Sequence, residues 1–186
     1  MRIAQYVFDC ADRVIFLGSI QFFFSWLWSI TEPVGNQKEV KMFKHILLPT
    51  DGSELSAAAV QQGIRFAKSI GAKVTGLCVM PLHHTFFYHE KIRKEALDEV
   101  AQQYKELAKA YLAAVEKGAK EAGIACEVVY ERNDSPYDVI IRVAEKKECD
   151  LIMMASHGRR GVGALLIGSE TQKVLTHTKI PVLVYR

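Results

Sequence analysis

From Lys44 onward the apolar positions of this chain alternate between two patterns. Short unbroken apolar runs predict buried strands, and stretches with an apolar residue every three or four positions predict amphipathic helices. Ile46–Leu48 is a first strand, ending at Pro49-Thr50-Asp51-Gly52-Ser53. Ser53 then caps a helix with the stripe Ala59, Gly63, Phe66, Ala67 and Ile70, closed by Gly71. Val74–Met80 is a second strand and Pro81–Tyr88 a loop. A long helix over Glu90–Ala122 carries Leu97, Val100, Tyr104, Leu107, Tyr111 and Val115 on one face and stops at Gly123. Ile124–Tyr130 is a third strand. Asn133-Asp134-Ser135-Pro136 then starts a helix, with Ser135 at the N-cap and Pro136 in the first turn, that ends near Lys147. Asp150–Ala155 is the fourth strand. A glycine-bearing loop leads to a helix that Ser169 caps, with Gln172 completing a capping box. Pro181 stops that helix, and Val182–Val184 is the last strand.

Strands alternating with helices predict an α/β fold, a parallel sheet covered on both faces with right-handed crossovers. If three strands wind outward and the fourth returns beside the first, the order is 3-2-1-4-5. Ligands of such sheets bind at the carboxyl ends of the strands, where the winding reverses. That placement brings the Pro49–Ser53 turn beside the His157–Gly163 loop, two segments far apart in sequence.

Residues 1–41 have a different character. Val14–Ile30 is mostly apolar and aromatic, yet interrupted by Ser19, Gln21, Ser25 and Ser29 and short for a bilayer span. No small-residue cleavage site follows it, which argues against a secretory signal. Two readings stand: a start codon placed upstream of the true initiator Met42, or a membrane or partner-binding segment. In the second case Lys38, Lys41 and Lys44 would keep the main domain in the cytoplasm.

Composition narrows the function classes. The 186-residue chain carries a formal charge of only +3, with Lys and Arg interspersed among acidic residues, so no nucleic-acid footprint is expected. Cys10, Cys78, Cys126 and Cys149 form no close pair, and three lie in or beside strand-like runs. Reduced thiols acting as small apolar groups, and hence the cytoplasm, are expected.

The loop after the fourth strand holds the candidate chemistry. Small residues between a buried strand and a helix start let backbone N–H groups approach an anion, which the helix dipole favours. A phosphate-bearing ligand, a nucleotide, is therefore expected there. Gly163 and Gly168 have P-loop spacing, but Ser169-Glu170 stands where Lys-Ser/Thr should be, and the dinucleotide fingerprint is absent. Asp51 suits a ribose hydroxyl or an adenine amino group, or else simply forms the turn. Val79 would border a base. His157 is either a ligand contact or an acid–base group, and Arg159 or Arg160 a phosphate contact. His83, His84 and His89 with Glu90 have metal-ligand chemistry, but their spacing and the intervening aromatics favour a covering loop over a metal site. Met153-Met154 is core.

Two of these segments together, Pro49-Thr50-Asp51-Gly52-Ser53 and His157-Gly158 with Gly168-Ser169, resemble the universal stress protein (UspA) family. The resemblance covers Met42–Arg186, leaving 1–41 as an N-terminal extension. ATP-binding members carry G-x2-G-x9-G-[ST]; here Ala155 stands at the first glycine, and Gly158, Gly168 and Ser169 match. The resemblance implies a Rossmann-like fold of five parallel strands, adenine nucleotide alpha hydrolase-like, and a homodimer through Val182, Leu183 and Val184. It implies ATP, with Mg2+ as the ion that could accompany it. The contacts it implies are Pro49, Thr50, Asp51, Val79, Met154, Ala155, His157, Gly158, Arg159, Gly168, Ser169, Glu170 and Thr171. Ala155 would weaken binding if that position needed a left-handed backbone or a very close approach. The function implied is a cytoplasmic, non-enzymatic stress-response factor. The alternatives are a nucleotide-free adaptor of the same fold and a slow ATP hydrolase.

Overall fold

The computed structural model describes residues 5–9, 13–17, 43–82, 94–158 and 167–186. Among the described residues, seven strands and four helices follow one another. They are β1 (Gln5–Asp9), β2 (Arg13–Leu17), β3 (His45–Thr50), α1 (Glu54–Ile70), β4 (Lys73–Met80) and α2 (Lys94–Ala122). Then come β5 (Cys126–Arg132), α3 (Pro136–Lys146), β6 (Leu151–Ala155), α4 (Ser169–His177) and β7 (Val182–Tyr185). All seven strands form one sheet in the order β2-β1-β7-β6-β3-β4-β5. Strands β3 to β7 are mutually parallel and have the expected 3-2-1-4-5 order. Among the described residues, no helix is long and apolar enough to cross a membrane. Apart from Val14–Leu17 in β2, the apolar run Val14–Ile30 lies outside the described residues.

Strand β3 is buried along its whole length because helices cover both of its faces. Ile46 and Leu48 pack with Val60, Ile64, Ala67, Val115 and Ala119 of α1 and α2. Leu47 packs with Val139, Val143 and Val174 of α3 and α4 on the other face. Met153 and Met154 divide between the two cores in the same way, as adjacent strand residues must. At Gly63, a Cβ would run into the Leu48 side chain, so α1 lies unusually close to the sheet. The inward face of α2 is rotated from the predicted one. Ala108, Leu112, Val115 and Ala119 are buried, while Leu107 is exposed. The aromatics Tyr104 and Tyr111 take the shoulder of the stripe, so small residues end up nearest the sheet.

Two termini of α1 follow the sequence closely. The Ser53 side chain accepts from the Ser56 amide at 3.3 Å, and Gly71 adopts φ 67° at the carboxyl cap. Ser135 is the N-cap of α3 without a side-chain bond; Asn133 Oδ1 instead accepts from the Ser135 amide at 2.8 Å.

The edge of β7, which the resemblance assigns to a homodimer, is paired within this chain. Strand β1 pairs with it in parallel, and β2 pairs with β1 antiparallel.

At the amino ends of the central strands, polar groups, of which His45 and Thr75 are buried, tie three strands to the end of α3. Thr75 donates to Glu127 Oε1 at 3.0 Å, so the 2.7 Å contact between His45 Nε2 and Thr75 Oγ1 has the histidine as donor. Lys147 donates to Glu127 Oε2 at 2.7 Å. The amides of Lys44 and His45 donate to Asp150 at 2.8 and 3.0 Å. Burial, then the Lys73 charge, holds the His45 imidazole below its usual range, against opposing pulls from Glu127 and Asp150. Burial likewise pushes the Cys149 thiol up to about 12, consistent with an inert, reduced cysteine.

Candidate functional site

Strands β3 and β6 are neighbours, but their ladder registers only Ile46 with Leu151 and Leu47 with Ile152. Beyond that point β3 reaches Pro49, which has no N–H to donate, so the ladder cannot extend. The predicted end of the strand at Leu48 is therefore corrected: Pro49 and Thr50 remain strand residues, held by pairing to Leu77 and Cys78 on the other side. The carboxyl ends of β3 and β6 are thus unlaced where the winding reverses, the place at which sheets of this kind take ligands.

One wall is the turn after β3. Asp51 Oδ1 accepts from the Ser53 amide at 3.0 Å and from the Ser53 hydroxyl at 2.7 Å. Thr50 Oγ1 accepts from the Gly52 amide at 3.2 Å and meets Ser56 Oγ at 3.1 Å. Gly52 sits at φ 78° directly against the Tyr111 ring, leaving no space for a side chain. Val79 lies one residue beyond the last β3–β4 pair and so flanks Asp51 in register; it is half-buried.

The other wall is the chain after β6. Ser156 donates its amide to Tyr185 O at 2.7 Å and accepts the Gly168 amide on its own carbonyl at 2.8 Å. This draws the two ends of the glycine loop together. Buried Ser156 was not among the expected site residues; its only signal was a small polar residue between Ala155 and His157. His157 Nδ1 lies 3.1 Å from Ser156 Oγ. Helix α4 begins at Ser169 with Gly168 as its N-cap, φ −62° and ψ 152°, so the predicted Ser169 cap is one residue too late. Gly168 O accepts from Gln172 N at 2.9 Å, and the first-turn amides of α4 have no carbonyl of their own helix to bond.

The two walls meet at one contact. A Cβ on Gly158 would overlap Asp51 Oδ2. Asp51 and Gly158 therefore lie against each other, with Pro49 and Thr50 preceding Asp51 in the chain and Gly168 close to His157. Arg159 and Arg160 lie outside the described residues, as do His83, His84, His89 and Glu90.

Four expected contacts have structural duties. Met154 and Ala155 are buried in β6. Thr171 is buried and donates its hydroxyl to Ala155 O at 3.0 Å, pinning α4 to the strand end. The Glu170 carboxylate accepts the Tyr137 amide at 2.9 Å and Lys173 Nζ at 2.8 Å, so it caps the first turn of α3 from outside. Only backbone groups of Glu170 remain to face an anion. Ala155 pairs with Tyr185 as an ordinary strand residue, and Glu148 is the one non-glycine at positive φ among the described residues. The position therefore needs no glycine for its backbone.

The profile of the Universal stress protein family matches residues 42–186. This chain belongs to the universal stress protein family. It is 31% identical over 145 residues to Universal stress protein MJ0531 of Methanocaldococcus jannaschii, spanning 78% of this chain and 83% of that one. The solved structure of protein MJ0577, from the same organism, superposes with a TM-score of 0.65 at 27% identity, covering 78% of this chain and 97% of its own. A universal stress protein from Archaeoglobus fulgidus, solved in complex with dAMP, shares the fold with a TM-score of 0.51 at 17% identity, covering 76% and 96%. The family match leaves the β1–β2 hairpin outside it.

Proposed function

We propose that this universal stress protein binds an adenine nucleotide, ATP foremost, in the crevice between β3 and β6 and works as a regulatory binding protein rather than an enzyme. The observation that carries this reading is the close approach of Asp51 to Gly158, which brings two turns distant in sequence together at the carboxyl ends of β3 and β6. Phosphates belong against Gly158, Gly168 and the first-turn amides of α4, where N–H groups and the helix dipole favour negative charge. Adenosine belongs on the Asp51 and Val79 side, away from the phosphate cradle, because a carboxylate repels phosphate and accepts from hydroxyl or amino groups. The A. fulgidus protein in complex with dAMP gives an adenine nucleotide a precedent on this fold.

Binding is favoured over turnover because the crevice carboxylates already hold structure. Asp51 organises Ser53, and Glu170 caps α3 and pairs with Lys173. An Mg2+ ion would travel with the triphosphate rather than sit in a protein cage.

The test is to purify the native chain, release any bound small molecule, and identify it by mass spectrometry, with thermal shifts against millimolar ATP alongside. Co-purified or stabilising ATP is the expected result. No nucleotide and no shift would instead leave an adaptor that uses the fold alone. Metal-dependent ATP turnover that His157→Ala removes without loss of binding would make the protein a hydrolase.

A further inference from the structure

Two anions compete for the start of α4. Its first-turn amides and dipole attract a phosphate, and Glu170, the second residue of the helix, is itself an anion. A free carboxylate there would take the same donors or repel the phosphate. The structure turns it elsewhere. Glu170 Oε2 accepts the Tyr137 amide at 2.9 Å, at the start of α3, where Ser135 supplies no side-chain cap. The charge of Glu170 is therefore useful to α3 and adverse to an anion beside α4.

Lys173 resolves this conflict. It lies three residues further along α4, and its Nζ donates to Glu170 Oε1 at 2.8 Å. The same ammonium stands 5.1 Å from the centre of the Tyr137 ring, so a cation–π contact with α3 also holds it. Tyr137 thus gives its amide to Glu170 and its ring face to Lys173. An ion pair with both side chains this exposed, 46% and 35%, adds little to stability. Its consequence lies in the charge it cancels.

We propose, resting on the nucleotide reading above, that Lys173 is a positioning residue for the nucleotide site. By neutralising Glu170 and holding it toward α3, it keeps the first turn of α4 acceptable to a polyanion. The dependence on Lys173 is graded by ligand charge, greater for a triphosphate than for a monophosphate.

Titration calorimetry of ATP and AMP into the full chain tests this. The proteins are the parent, Lys173→Met, Lys173→Arg and the double variant Lys173→Met/Glu170→Gln. Methionine keeps a long apolar stem and leaves the Glu170 charge uncancelled. At low salt ATP affinity should fall about threefold or more in Lys173→Met, with a smaller loss for AMP. The loss should shrink at about 0.5 M salt, where exposed charges are screened. Lys173→Arg, which keeps the charge, and the double variant, which removes the opposing one, should both return to near the parent affinity. A double variant that binds no better than Lys173→Met would make Lys173 a direct phosphate contact and overturns the proposal. Equal losses for ATP and AMP, or a loss indifferent to salt, mark a structural defect and also overturn it. A parent that binds ATP with Lys173→Met unchanged overturns this inference alone. A parent that binds neither nucleotide overturns the nucleotide reading together with it.

Discussion

The carboxylate of Asp51 stands where a side chain on Gly158 would be. Its Oδ2 faces the Gly158 Cα while its Oδ1 holds the amide and hydroxyl of Ser53. One residue thus shapes the start of α1 and sets how closely the glycine loop approaches the end of β3. The relationship is steric on one side and hydrogen-bonded on the other, which makes it measurable as a coupling.

Gly158→Ala forces Asp51 to rotate away from Ser53. The variant should be destabilised by about 1–2 kcal/mol in denaturant unfolding, the usual range for overfilling a tight site and losing hydrogen bonds. Asp51→Ala removes the obstruction, so the double variant should cost less than the sum of the singles. Strict additivity would mean that the two residues do not touch in solution.

Ala155 is the one departure from the family's glycine motif. Because it is a paired strand residue, Ala155→Gly should leave nucleotide affinity within about threefold, or under 1 kcal/mol. It should lower stability by about 0.5–1 kcal/mol through the added chain entropy of glycine. Titration calorimetry and thermal unfolding on the same preparation check both; a large gain in ATP affinity would show that the methyl group crowds the ligand.

Glu170 was expected at the nucleotide, yet its side chain serves α3. Glu170→Gln should therefore leave ATP affinity nearly unchanged and cost about 1 kcal/mol of stability. Hydrogen exchange should show faster loss of protection at the Tyr137 amide. If affinity falls by tenfold or more while Tyr137 stays protected, the carboxylate has a direct role at the ligand.

These cases show where sequence was informative. The order of the five parallel strands followed from periodicity and the handedness of crossovers, and it sufficed to place Asp51 beside Gly158. Ser53 and Gly71 were readable because caps are local chemistry. The Ser169 cap was misplaced by one residue because the deciding contact, Gly168 N to Ser156 O, closes a loop that no local pattern reveals. The strand at Pro49 was cut short because a proline is tolerated in a central strand only where the neighbouring ladder has already ended, a non-local fact. The hairpin was missed for a related reason. Gln5–Asp9 is short, Arg13–Leu17 merges into the apolar run Val14–Ile30, and the β7 partner of β1 is at the other end of the chain. The bonds among His45, Thr75, Glu127 and Lys147 join three strands and the C-cap of α3, and no spacing announces them.

That cluster predicts acid sensitivity. The folded-state pKa of His45 lies below its unfolded value of 6.5, so the native state binds fewer protons there. Its contribution to stability is fully present above pH 6.5 and is lost as pH falls below it. Glu127 is held low mainly by Lys147, so its own contribution fades at lower pH still, below its unfolded value of 4.5. Melting temperatures measured from neutral to mildly acidic pH should fall in the parent and fall less steeply in His45→Gln. Parallel curves for the two proteins would assign the acid response to other groups.

The central claim is that the Asp51 and Gly158 turns close over an adenine nucleotide. Titration calorimetry of ATP into nucleotide-free parent and into Gly158→Val tests it most directly, with cooperative unfolding as the check that the variant is folded. Saturable binding by the parent, weakened about tenfold or more in the variant, is the expected result. Equal affinity in the two proteins, or no binding by the parent, would contradict it.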